Sequence, residues 1–467
     1  MSDATVSAPA ALNIPTIEKA RRSARRARWR RRGLIALAAL VYELVWAISG
    51  LDKVNPTDLD VFFFPAVSIA LHGHPFDIYQ VRVGLIYPNA NGPVGLIPVY
   101  VAAWLAHLRG WLGDPGLRRM LLFAVVAPVP LLIGWETAHA VKRIAGPLRG
   151  VIAIAPYIPM LVAPELWLSA LYYGHIEQMI AVWLILAAIR VLNENRALTA
   201  GALLGLALLC RSDVLMALFP LALTLLFRLD LSAFARMAFG GALAIAAGLA
   251  PFLLADTADT IFSLVTFRDA LPVGGGNIWS LGSSAQFLAF GQRYDATLAI
   301  CLVNALACAV LAIRRDLSIR SMNVYLLLAL TALCFPLLIK TLWPYYYQEA
   351  ALFISVWAIA RSIVVARKWR VGERGQILGA LSLFWSMRLI VLGAALFAEM
   401  SLEVTNYGGW TAPWSTIQAL IGVGAILIVG IALSLAPHAL KSVIPSQSAS
   451  ERAILLATPV ISATDEA

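Results

Sequence analysis

Apolar runs, several of them near the ~20 residues that a helix needs to cross a bilayer, recur along almost the whole chain. They fall at 34–50, 93–108, 120–141, 151–164, 176–192, 198–209, 214–227, 234–254, 297–313, 324–339, 350–365, 377–398 and 417–435, thirteen candidates in all. Lipid offers no hydrogen bonds, so backbone crossing it must satisfy itself, and apolar runs of this kind are read as helices. The fold class that follows is all-α, a polytopic membrane protein. Composition agrees: 60% of residues are hydrophobic, 13% are charged, and the mean hydropathy is +0.80.

The net charge of +10 could suggest a nucleic-acid partner, but the basic residues sit in short blocks between apolar runs, where they set orientation. No nucleic acid is expected. The largest block, Arg21 to Arg32, holds eight arginines directly before the first apolar run and reads as a cytoplasmic anchor for anionic lipid. No small-residue cleavage site follows that run, so a removed signal peptide is not expected. Residues 1–33 then form a basic disordered cytoplasmic tail, 34–436 the transmembrane domain, and 437–467 a second disordered cytoplasmic tail. The four cysteines lie in or beside apolar segments without metal-ligand spacing and read as small core residues.

Basic residues at 142–149, 190–196, 228–236, 314–320, 361–374 and 441 fall on one side if each intervening run crosses once. One step breaks this parity. Between Gly92 and Lys142 the chain has two apolar runs for a single crossing, which calls for a run that is re-entrant or broken, at Pro128 and Pro130, or a 142–149 loop that departs from the charge rule. The expected count is about twelve complete spans, with both termini cytoplasmic and Asp58 outside.

The exterior side carries more chemistry than a membrane anchor needs. The segment 55–92 is long for a connection and places Asp58 and Asp60 before an apolar helix pattern and a Gly-His-Pro turn, and loops of that length are usually functional. Further exterior loops hold Glu165, His175, Glu177 and Gln178; Arg211 and Asp213; Asp256, Arg268, Asp269, Asn277 and Trp279; Lys340, Trp343 and Tyr345 to Tyr347; and Glu403 and Trp410. Trp and Tyr form interfacial belts, but a belt does not require carboxylates, amides and isolated cations on the same side. Acids for proton transfer, cations for an anionic leaving group and aromatics for sugar faces suit glycosyl transfer from a lipid-linked donor. Glu43 and Glu136 are acids inside apolar runs, where they must face protein or water.

The order of these features resembles the membrane-embedded C-type (GT-C) glycosyltransferases that use polyprenyl-phosphate sugars, most closely glycosyltransferase family 87. The matching pieces are Asp58-Leu-Asp-Val-Phe-Phe-Phe-Pro-Ala66, Gly73 to Tyr79, Tyr87-Pro88 to Pro93, and Gly174-His175-Ile176-Glu177-Gln178. They continue with the small-residue run Ala200 to Ala207 ending at Arg211, then Gly276-Asn277-Ile278-Trp279-Ser280 and Trp343-Pro-Tyr345-Tyr346, over roughly the first three-quarters of the chain. Relatives often carry lysine where Arg211 stands, and often histidine after the late tryptophan where this chain has tyrosine.

The resemblance implies a GT-C-type architecture with catalytic exterior loops, in the plasma membrane. It implies inverting transfer of a sugar, mannose first, from a polyprenyl-phosphate donor to a lipid-linked or cell-envelope glycan on the outer face. The base would be Asp58, or Asp60 if the alignment is slipped. Arg211, Arg268 and Lys340 would bind the donor phosphate, and His175, Gln178, Asn277, Tyr345 and Tyr346 the substrates. No cofactor is required, and a divalent metal at Asp58-Leu-Asp60 has no second ligand cluster behind it. The alternatives are arabinofuranosyl transfer and, from another class, a transporter or flippase of a lipid-linked sugar, against which stands the lack of an internal repeat.

Overall fold

The computed structural model describes residues 58–79, 88–148, 150–157, 174–228, 230–270, 278–281, 285–314, 321–340 and 348–369, with scattered positions in 37–48 and 372–379. Among the described residues every element is a helix. A π-helical turn, Leu59–Phe63, leads into α1, Phe64–Leu71, which stops at a turn where Gly73 takes φ +95°. Then follow α2, Pro93–Leu108; α3, Pro115–Val126; α4, Pro128–Ala145; α5, Ile176–Asn193; α6, Ala197–Leu208; α7, Leu215–Phe227; and α8, Leu231–Ala255. Short pieces α9, Thr257–Ile261, α10, Phe267–Ala270, and α11, Ala285–Gly291, precede α12, Tyr294–Arg314, α13, Asn323–Leu338, and α14, Gln348–Lys368. Among the described residues, four stretches are long and apolar enough to cross a bilayer: Pro115–Ala145, Ile176–Asn193, Leu231–Ala255 and Glu349–Lys368. The expected runs at 377–398 and 417–435, and most of 34–50, lie outside the described residues.

The helices sort into a centre and a rim. In α5 and α14, 83% of the most apolar window is buried inside the protein, against 17% in α8, which makes α8 an outer helix. It is held by close backbone approach to α6: a Cβ on Gly201 would lie 1.8 Å from the Met237 carbonyl oxygen, and one on Gly240 would lie 2.2 Å from that of Leu198. Small residues four apart, Gly201 and Gly205, let two apolar helices touch where lipid gives no hydrophobic drive.

The two ends of the bundle differ in charge. At one end Arg190 of α5 donates to Glu136 of α4 at 2.7 Å, Arg143 reaches the Tyr325 hydroxyl, and Arg367 of α14 donates to the carbonyls of Ala145 and Pro147. The other end gathers Asp58, His175, Arg211 and Lys340 with the segment before Tyr79, whose hydroxyl donates to the Asn91 carbonyl and whose own carbonyl accepts from Ser263.

This sorting locates the odd apolar run. The helical line continues through Ala127, in αR geometry, from α3 into α4, because Pro128 and Pro130 remove N–H donors without reversing the chain. Pro115–Ala145 is therefore one 31-residue helix, with Arg118 beside Asp60 at the acidic end and Arg143 at the basic end. The break expected at Pro128 and Pro130 does not turn the chain back, because helical backbone continues through Ala127. The start of α2 is on the acidic side, where the Val94 amide donates to the Leu209 carbonyl, and α3 also starts on that side, with Arg118 of its first turn beside Asp60. The Gly150–Ala153 turn opens the run expected at 151–164, whose remainder lies mostly outside the described residues.

Candidate active site

Four stretches that are remote in sequence deliver the charged groups to the acidic end. The π-helical turn begins at Asp58; α5 begins just after His175; the end of α6 presents Arg211; the turn Ser212–Val214 carries Asp213; and the first turn of α14 carries Glu349. Their approach depends on glycine. A Cβ on Gly92 would sit 1.9 Å from the Leu209 carbonyl oxygen, and one on Gly95 would lie 2.7 Å from Glu177 Cβ, so α2 can lie against the α5 start and the α6 end only without side chains there.

The polar contacts form a chain. His175 Nε2 lies 2.7 Å from Asp58 Oδ2, and His175 Nδ1 lies 2.6 Å from Glu177 Oε1. Arg211 Nη1 donates to the same Glu177 oxygen at 2.8 Å, and Arg211 Nε donates to Asp213 Oδ2 at 2.9 Å. Two donors converging on one oxygen explain why Arg211 Nη1 stands only 3.2 Å from His175 Nδ1. Every member is buried except Asp58, whose side chain is 27% exposed. The carboxylate that ends the chain is thus the one that solvent or a substrate can reach. Burial works against a charged His175, but the Glu177 and Asp58 carboxylates outweigh it and the ring holds its proton above the usual histidine range. The Phe63 ring stands edge-on to the imidazole.

Glu349 completes the group. It is buried, and Asp213 and Arg211 are its electrostatic neighbours. Sequence reasoning did not single it out, although it stands two residues after the Tyr345 to Tyr347 run, at the head of an apolar segment. Also missed was Arg118, 3.5 Å from Asp60 with its guanidinium 4.6 Å from the Phe64 ring centroid.

The other expected residues are spread over the same end. Asp60 lies inside the π-helical turn, and its carboxylate faces Arg118. Residues two apart on a helix point to different sides, so Asp58 and Asp60 diverge toward different partners. Gln178 is fully buried, and neither atom of its amide has a partner among the described residues. Lys340 is buried, its ammonium donating to the Asp269 carbonyl, and burial pulls its proton affinity down. Arg268 is the neighbour of Asp269 on α10, which brings its backbone to the same corner. Trp279, expected in an interfacial belt, is buried and donates to the Leu338 carbonyl at 2.7 Å. Asn277, Tyr345 and Tyr346 lie outside the described residues. Among the described residues no group of three or more His, Cys, Asp or Glu side chains is arranged to hold a metal ion.

No protein-family model matches the chain, and no curated protein matches it.

Proposed function

We propose that the chain is an inverting glycosyltransferase of the membrane, taking its sugar, mannose first, from a polyprenyl-phosphate donor and passing it to a lipid-linked or cell-envelope glycan on the exterior face. The observation that carries the reading is Asp58: a reachable carboxylate fixed at 2.7 Å by a buried histidine, at the end of the bundle opposite Arg143, Arg190 and Arg367. In the reaction the Asp58 carboxylate takes the proton of the acceptor hydroxyl as that oxygen bonds to the anomeric carbon. The bond from that carbon to the phosphate oxygen breaks with its electron pair, and polyprenyl phosphate leaves as an anion that needs cations but no proton. Lys340 and Arg268 are assigned to that anion. Arg211, first choice from the sequence, is committed to Glu177 and Asp213, and we assign it to holding the charged chain together.

In this reading α2 lies along the exterior surface while the 115–145 helix crosses once, which restores the parity and gives about twelve spans. The transporter alternative would use Glu136 in mid-membrane, but that carboxylate is neutralised by Arg190 at the basic end. Orientation has a direct check. A cysteine placed at exposed His74, in the turn after α1, is expected to react with an impermeant maleimide in whole cells, and one at exposed Arg196, in the α5–α6 turn, only after lysis. The reverse pattern would put the site in the cytoplasm and sink the exterior donor.

The function itself is tested with purified protein, polyprenyl-phosphate mannose or polyprenyl-phosphate arabinofuranose labelled in the sugar, and a panel of lipid glycans. Label from the mannose donor is expected in a glycan product, and none with Asp58→Asn. Label moving only from arabinofuranose would change the sugar, and no movement from either donor would overturn the assignment.

A further inference from the structure

We propose that His175 is the positioning residue of this transfer: held as a cation between Asp58 and Glu177, it fixes the carboxylate of the base, and loss of its proton switches the reaction off at high pH. The inference rests on the reading of Asp58 as the base. It begins from donor counting. Carboxylate oxygens only accept, so contacts of 2.7 Å at Nε2 and 2.6 Å at Nδ1 are both favourable only when each ring nitrogen carries a proton. A neutral ring can serve one carboxylate and must present a lone pair to the other.

What lies behind the ring makes it a rigid mount. Glu177 is fixed by Arg211, Arg211 by Asp213, and all three are buried on the starts or ends of α5, α6 and α7. Asp58 belongs to a different element, the π-helical turn, and reaches this mount through the imidazole. The groups facing His175 are therefore Asp58 and the Phe63 ring from that turn, Glu177 from its own helix, and Arg211 from the α6 end, with Asp213 and Glu349 beyond Arg211. Arg211 opposes a second positive charge and the carboxylates favour it.

The sign follows from the direction of the shift. Burial disfavours the imidazolium, the Glu177 and Asp58 charges more than offset it, and the folded value lies above the ordinary ~6.5. The cation is then intact below the raised value and is lost as pH rises through it. Glutamine at this position can donate one amide N–H to Asp58 but cannot titrate.

The test is kcat and donor KM against pH in the labelled-sugar assay. Wild type is expected to lose kcat on the alkaline side. His175→Gln should be slower by roughly a hundredfold, the scale of a misplaced catalytic group, with the alkaline fall gone and donor KM little changed. Glu177→Gln should move the alkaline fall to lower pH, because one of the two carboxylates supporting the cation is gone. An alkaline fall that is unchanged in His175→Gln overturns the assignment, as does a wild-type rate that stays flat. Lys340 could titrate on the same side. If neither variant folds, Lys340→Arg decides: a fall that is retained supports His175, and one that vanishes assigns it to Lys340 and overturns the proposal. Full transfer by Asp58→Asn would instead remove the base reading itself, whereas a dead Asp58→Asn beside an unaltered His175→Gln removes only the role of His175.

Discussion

Asp58→Asn is expected to lose sugar transfer by roughly a thousandfold or more while the protein still folds and binds donor. Asparagine keeps the shape of aspartate and one acceptor oxygen, so the contact with His175 Nε2 can persist, but the amide cannot take the acceptor's proton. The companion Asp60→Asn is expected to be nearly silent. Its partner Arg118 stands 3.5 Å away, and both side chains are part-exposed, a pair worth ~0–1 kcal/mol. Side-by-side initial rates with labelled donor, and donor binding for the inactive protein, are the measurements. An inactive Asp60→Asn beside an active Asp58→Asn would mean that the match to the family is slipped and that the roles of the two aspartates swap. Two active variants would end the glycosyltransferase reading.

Asp58 was legible in the sequence because it heads a long loop between apolar runs, and so was the helix list: the runs at 176–192, 198–209 and 214–227 match α5, α6 and α7 within a few residues. What hydropathy cannot carry is direction. Residues 93–108 are as apolar as their neighbours, and only the contacts at Leu209 and Asp60 reveal that α2 and α3 begin on the same side. Pairing was equally hidden. Arg211 reads as an isolated cation until α5 and α6, running antiparallel, bring Glu177 against it from 34 residues away. Glu349 looked like the polar start of an apolar run, since nothing local in the sequence shows that a helix end will be buried beside Asp213. A cation between apolar segments suggests an anionic ligand, and nothing local in the sequence shows that Glu177 and Asp213 stand against Arg211.

The sharpest consequence concerns that residue. Arg211→Ala is expected to destabilise the protein by about 3–5 kcal/mol, the scale for breaking a buried ion pair from one side, because Glu177 and Asp213 would remain buried without their shared cation. The readout is thermal unfolding in detergent together with the yield of folded protein. Arg211→Lys should recover only part of the loss: an ammonium is a point charge, whereas the guanidinium reaches Glu177 through Nη1 and Asp213 through Nε at once. The damage should be repaired by removing the stranded charges, so Arg211→Met combined with Glu177→Gln and Asp213→Asn is expected to unfold closer to wild type than Arg211→Ala does. A phosphate clamp would behave differently. If Arg211→Ala unfolds like wild type and shows only a raised donor KM, then Arg211 belongs to the donor and Asp58 loses the mount that holds His175.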